Sequence, residues 1–201
     1  MAETLRLFVA TTLPASILEN LAAIQQRLRV DIPHGVVRWV DPRGIHLTLK
    51  FLGDVPASQQ PELESALNDA VGDREPFELV LSELGCFPNV RRPRVVWVGL
   101  AGALQELRGL RDDVERTIAP LGYPTEDRPF SPHLTLGRVR REASASQASL
   151  IGAQVMRSQH TDLRAWRVSS LSLMQSELSP AGATYTELHR VRFRGAASDT
   201  A

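Results

Sequence analysis

Alternating apolar and polar positions mark the strands of this chain, and apolar residues spaced three or four apart mark its helices. Residues 5–10 read as a compact apolar strand. Pro14 opens a helix whose Ile17, Leu21, Ile24 and Leu28 share one face. A short strand over 36–40, the turn Asp41-Pro42-Arg43-Gly44 and a strand over 45–52 follow, with Gly53-Asp54 ending the last. Ser58 starts a second helix that buries Leu63, Ala66, Leu67, Ala70 and Val71. Residues 77–84 and 94–100 read as strands, and a helix over 103–119 turns Leu104, Leu107, Val114 and Ile118 inward. A loop over 124–132 leads to a strand over 133–139. The Ala/Ser-rich stretch 141–162 is poorly patterned, with a weak helix over 148–156. Strands over 166–174 and 184–193 flank the turn Ser179-Pro180-Ala181-Gly182, and 195–201 is expected as a disordered tail.

Two of these strands begin with the same letters. His46-Leu47-Thr48-Leu49 recurs as His133-Leu134-Thr135-Leu136, and the chain holds only five histidines. Each copy is followed by a helical or weakly helical stretch and then more strand, which suggests a duplication. The pattern predicts two α/β lobes in a single domain over 1–194, each offering one motif strand to a shared cleft.

Alternation sets what each strand presents. His46 and Thr48 share one face, while Leu47, Leu49 and Phe51 would bury the other. Residues two apart lie about 6.6 Å apart along a strand, enough to hold one phosphate between an imidazole and a hydroxyl. Imidazole titrates near pH 6.5, so one copy can accept a proton while the other donates one. The hydroxyls can donate to phosphoryl oxygens as charge builds there. The pattern suits in-line displacement at phosphorus without a metal. A single strand histidine is commonly structural, but nothing about packing requires the same His and Thr twice. A zinc site needs three or four ligands, and beyond His34 no cysteine pair or HExxH-like helix completes a set.

Composition narrows the partners. With 43% hydrophobic residues in 201, the chain can bury one good core. Its 23 basic and 23 acidic residues balance, so no strongly basic surface holds long nucleic acid. An RNA substrate would be gripped by its end. The basic residues are 22 Arg and one Lys, Lys50, expected on the face shared by His46 and Thr48. The one cysteine, Cys86, excludes an internal disulfide and reads as a small buried hydrophobe. No signal-peptide core or membrane-length apolar run is present, so the chain reads as cytoplasmic with no membrane contact.

The motifs resemble those of the 2H phosphoesterase superfamily, and most closely its RNA 2′,3′-cyclic phosphodiesterase branch, historically called 2′-5′ RNA ligases. Arg6-Leu7-Phe8-Val9-Ala10 resembles the family's opening strand, with Arg6, Phe8 and Ala10 on one face. His46-Leu47-Thr48-Leu49-Lys50-Phe51-Leu52-Gly53 and Phe130-Ser131-Pro132-His133-Leu134-Thr135-Leu136-Gly137-Arg138 resemble its two motifs in full. Gly85-Cys86-Phe87-Pro88 and Arg94-Val95-Val96-Trp97 resemble the elements between them. The resemblance implies an α+β fold of two duplicated lobes whose antiparallel sheets face a central cleft. It implies hydrolysis of RNA 2′,3′-cyclic phosphate ends to 2′-phosphomonoesters without metal or cofactor, with 2′-5′ joining as the reverse reaction. His46 resembles the general acid and His133 the general base, with Thr48 and Thr135 on the phosphoryl oxygens. Arg138, Arg94 and Lys50 are candidate cations for the substrate, and Phe130 and Trp39 candidate surfaces for its terminal base. Alternation alone would turn Arg138 away from His133 unless the strand bulges near Gly137. A small cyclic phosphate of a nucleotide or of ADP-ribose would suit the same groups, as would a non-catalytic module that binds RNA ends. No obligate protein partner is implied.

Overall fold

The computed structural model describes residues 3–158, 164–179 and 182–196. Among them the order is β1 (Thr4–Thr11), α1 (Ala15–Asp31), β2 (Val37–Trp39), β3 (Leu47–Pro56), α2 (Gln60–Val71), β4 (Phe77–Phe87), β5 (Val95–Gly102), α3 (Leu104–Ile118), β6 (His133–Val139), α4 (Ala145–Arg157), β7 (Ala165–Val168), β8 (Ser170–Ser179) and β9 (Gly182–Arg192). The strands form two antiparallel sheets, β3-β1-β8-β9 and β2-β6-β5-β4-β7. This is the expected α+β architecture of two lobes about a cleft, with a motif strand in each sheet. No helix among the described residues is long and apolar enough to cross a membrane.

The helices are exchanged between the halves. α1 follows β1 of the first sheet, yet its Gln25 hydrogen-bonds to β6 and its Arg29 lies over Trp39 of β2, both in the second. α3 follows β5 of the second sheet and packs against β3 of the first, beside α2. Each motif strand is therefore backed by the helix that belongs, in chain order, to the other half. Between sheet and helices the motif leucines Leu47, Leu49, Leu134 and Leu136 are all buried, each contributing about 1.5–3 kcal/mol to the core.

Several elements differ from the sequence reading, among them β4, which runs on to Phe87 where the reading ends it at residue 84. β3 runs past Gly53-Asp54 to Pro56, because Thr4–Leu7 of β1 offers it hydrogen-bond partners that far. The stretch expected as one strand over 166–174 is two: β7 pairs with β4 in one sheet and β8 with β1 in the other. The apolar pattern is the same on both sides of that crossing. The weak helix expected over 148–156 is the longer α4, held at its start by a reciprocal capping box between Ser144 and Gln147. Residues 159–162, 180–181 and 197–201, which carry parts of the poorly patterned stretch, the last turn and the expected tail, lie outside the described residues.

Both motif strands bulge at the same letter. Along β1, Ala10 pairs with Thr48 and Val9 with Lys50, which leaves Leu49 as an extra residue. Along β5, Trp97 pairs with Thr135 and Val96 with Gly137, which leaves Leu136 extra. A bulge shifts the alternation by one residue. Lys50 therefore joins the buried face instead of the face of His46 and Thr48, and Phe51, expected in the core, stands 73% exposed on the open face. In the second copy Gly137 takes the buried position and Arg138 the open one. Gly137 suits its place, since a Cβ there would lie 2.7 Å from Val37.

Each bulge is clasped by a buried polar group from the exchanged helix. Lys50 Nζ donates to Glu115 Oε2 of α3 at 2.5 Å and to the Pro124 carbonyl at 2.8 Å. Arg111 pairs with the other oxygen of Glu115 at 3.1 Å. At the second bulge the Leu136 carbonyl accepts from Gln25 Nε2 at 2.8 Å and from the Val40 amide at 2.9 Å. Removing one partner of a buried pair strands the other charge. Glu115→Ala leaves the Lys50 ammonium with only the Pro124 carbonyl and should cost about 3–5 kcal/mol in chemical denaturation. Lys50→Met should cost less, because Arg111 still pairs with Glu115; the reverse order would contradict this account of the clasp.

Candidate active site

The chain enters the first motif through a single 3-10 turn, Pro42–Gly44, whose start is capped by Asp41 accepting from the Arg43 amide at 3.0 Å. It enters the second from the 124–132 loop. Each turn delivers a backbone carbonyl to the ring that follows two residues later. His46 Nδ1 lies 2.8 Å from the Gly44 oxygen, and His133 Nδ1 lies 2.7 Å from the Ser131 oxygen. A carbonyl can only accept, so in both rings Nδ1 carries the proton and donates. Nε2 is left for chemistry in each. The two imidazoles therefore share one tautomer and one tether, as the repeated sequence suggests.

Aromatic rings wall both histidines. Phe8 stacks on His46 at 4.5 Å between ring centroids, and Tyr185 meets His46 edge-on at 4.8 Å. Phe87 meets His133 edge-on at 4.8 Å, with Trp97 at 6.4 Å. Sequence reasoning placed Phe8 on the right face but missed the other three as histidine neighbours. Gly85 was a readable signal for Trp97: a Cβ at Gly85 would fall 2.3 Å from the indole, so only glycine lets the ring lie there.

Burial pushes both imidazoles below their ordinary range, and for each the carbonyl partner acts in the opposite sense. His133 is lowered further by the positive charge of Arg138, a cause with no counterpart at His46. The bulge therefore brings Arg138 into electrostatic reach of His133, as the sequence required for that arginine to serve the site. At the matching position of the first motif stands Phe51, its ring 6.2 Å from Phe8. The halves are alike in His and Thr and differ here, with a cation on one side and an apolar plate on the other. Thr48 and Thr135 are half-buried on the open faces of their strands.

The remaining candidates sit elsewhere. Lys50 is consumed by Glu115 in the core, as described. Trp39 pairs with Gly137 on the helix-covered side of β6 and lies under the Arg29 guanidinium at 5.3 Å, because the bulge sets the parity of β2 as well. Phe130 packs against the core with Arg111 above it at 5.7 Å, so its ring is already covered. Arg94 precedes Val95, its carbonyl accepts from the Val139 amide, and the residue is exposed. No hydrogen bond, ion pair or ring contact among the described residues joins its side chain to either motif. Cys86 is buried, and burial pushes its thiol up to about 11, as suits a packing residue. Among the described residues no three His, Cys, Asp or Glu side chains gather to hold a metal ion.

The comparisons with known proteins agree with this geometry. The LigT-like phosphoesterase model matches the chain twice in succession, over residues 12–97 and 98–185. The RNA 2′,3′-cyclic phosphodiesterase of Methanothermobacter thermautotrophicus is 34% identical over 93% of this chain and 98% of its own. That of Aeropyrum pernix is 36% identical over 83% of this chain and 93% of its own. The crystal structure of E. coli LigT complexed with 3′-AMP superposes with a TM-score of 0.74 at 28% identity, covering 95% of this chain and 99% of that one. TT0787 of Thermus thermophilus gives 0.73 at 31% identity, over 94% and 98%. Twin motifs on twin bulged strands and a family model matched twice lead to one conclusion: the chain belongs to the LigT-like phosphoesterases, within the 2H phosphoesterases.

Proposed function

We propose that this protein hydrolyses the 2′,3′-cyclic phosphate at RNA ends to a 2′-phosphomonoester, with His46 as general acid and His133 as general base. The observation that carries the reading is the pair of imidazoles tethered alike through Nδ1, each beside a threonine on the same strand face. Relatives named RNA 2′,3′-cyclic phosphodiesterase, matched over nearly their whole length, support it. Water attacks phosphorus as His133 Nε2 takes its proton. The bond from phosphorus to O3′ breaks as His46 Nε2–H gives its proton to that oxygen, leaving a free 3′-hydroxyl. Thr48, Thr135 and Arg138 donate to the oxygens on which negative charge accumulates.

Arg138 supports this division of labour. A base must be neutral when water arrives, and a neighbouring guanidinium disfavours the protonated imidazole. Among the described residues no such cation acts on His46, while the carbonyl tether that favours the charged ring is common to both. Phe51 offers an exposed plate on which the terminal base can stack. That position, with Phe at the place of Arg138 in the duplicated motif, is what the sequence reading overlooked in favour of Trp39 and Phe130.

On an oligoribonucleotide ending in a 2′,3′-cyclic phosphate, with EDTA present, the unaltered protein should turn over at its full rate. His46→Ala and His133→Ala should each lose at least about 10²–10⁴-fold in kcat while keeping their fold by circular dichroism. Turnover retained in both single variants would sink the two-histidine mechanism. The pH profile should be bell-shaped, because His133 must be neutral and His46 charged. Burial lowers both rings, so kcat/KM should peak below about pH 6.5 and decline toward alkaline pH. Arg138→Gln removes a charge that disfavours the His133 imidazolium, so His133 titrates higher and the acidic limb should move up in pH. An acidic limb that stays in place or moves down would contradict the role given to Arg138.

A further inference from the structure

We infer that Arg38 forms a second anion subsite, which holds the phosphodiester of the RNA chain one nucleotide on the 5′ side of the cyclic phosphate. This rests on the function proposed above and extends it from the reacting group to the polymer.

β2 is a three-residue strand that, among the described residues, pairs only with β6, in the register Val37 with Val139, Arg38 with Arg138 and Trp39 with Gly137. The bulge at Leu136 decides the parity of that pairing. It sends Val37 and Trp39 to the helix-covered side and Arg38 to the open side, directly across from Arg138. Opposite residues of an antiparallel pair have Cβ atoms about 4.5–5.5 Å apart, and like charges so placed repel. Other arginines of this chain sit on carboxylates: Arg43 on Asp41, Arg74 on Asp113, Arg128 on Glu126 and Arg190 on Glu187. Arg38 and Arg138 are both exposed, and among the described residues no ion pair or side-chain hydrogen bond involves either.

Two adjacent cations without a carboxylate suit two anions. A 2′,3′-cyclic phosphate carries one negative charge, which Arg138 and the motif groups serve. The next negative charge on an RNA end is the neighbouring phosphodiester. Arg38 lies one strand, about 4.8 Å, farther toward the edge of the sheet, where none of the described residues pairs with β2 on its outer side. A chain entering from that edge would pass Arg38 before reaching Arg138. A free cyclic mononucleotide has no phosphate to place there, so the subsite favours RNA ends over small cyclic nucleotides.

The test compares unaltered protein with Arg38→Gln on three substrates. These are adenosine 2′,3′-cyclic phosphate, an adenosine dinucleotide ending in that group, and the same dinucleotide with an uncharged methylphosphonate internal link. The substitution lies on an exposed edge, so the fold should be retained. Arg38→Gln should raise KM about tenfold on the charged dinucleotide, the worth of one charge-assisted contact, and change the other two substrates by less than about twofold. It should also lower the slope of log(kcat/KM) against log(salt) by about 0.7 on the charged dinucleotide. No effect on the charged dinucleotide, or an equal effect on all three substrates, would overturn the subsite while leaving the hydrolytic reading intact. Failure of the unaltered protein to cleave any of the three would overturn that reading, and the subsite with it.

Discussion

The open face of this protein is organised by one backbone irregularity used twice. An extra residue directly after each His-Leu-Thr, Leu49 in one strand and Leu136 in the other, reverses the alternation of the residues that follow, in the first strand as far as a second shift at Leu52. Without it, Lys50 would stand on the face of His46, and Arg138 would turn into the helices away from His133. With it, the lysine is buried, the arginine meets the imidazole, Phe51 faces outward and the parity of β2 follows. The cost is a broken ladder at the most important point of each strand, and the structure offsets that cost with buried polar contacts.

Those contacts explain why the helices are exchanged. A bulge is held best by a rigid element behind it, and in each half that element comes from the other. α3 brings Glu115 to Lys50, and α1 brings Gln25 to the Leu136 carbonyl. Lys50 also reaches Pro124, at the start of the loop that delivers His133. The buried ion pair thus ties the first motif strand to the approach of the second. Two lobes that carried their own helices would leave the relative placement of the two imidazoles to packing alone.

Much of this was legible in the residues. The duplicated tetrapeptide indicated two strands, two imidazoles and two hydroxyls, and alternation placed each His with its Thr and each Leu in the core. The apolar spacing located the first three helices closely and the body of α4, but not its start, which the capping pair Ser144 and Gln147 sets three residues earlier than expected. What stayed hidden depends on partners far along the chain. Nothing local in Leu-Lys-Phe reveals that Leu49 is extra, because a bulge is defined by the strand it pairs with. The burial of Lys50 required Glu115, 65 residues away. The crossing from β7 to β8 required knowing that Ser169 separates two sheets. Arg138 was the exception: alternation forbade it, its usefulness demanded it, and Gly137 marked the place where the conflict is resolved.

The histidines divide by environment, since their sequences do not divide them. Both are walled by aromatic rings and tethered through Nδ1, with His46 the more deeply buried. The charge of Arg138 beside one and the apolar ring of Phe51 on the side of the other set them further apart. The most direct test of the whole account is the fate of oxygen when an RNA 2′,3′-cyclic phosphate end is hydrolysed in ¹⁸O-labelled water. The account predicts a 2′-phosphomonoester with one ¹⁸O on phosphorus and an unlabelled 3′-hydroxyl. A 3′-phosphate, or label in the hydroxyl, would show that His46 does not protonate O3′ and that the two halves do not act as described.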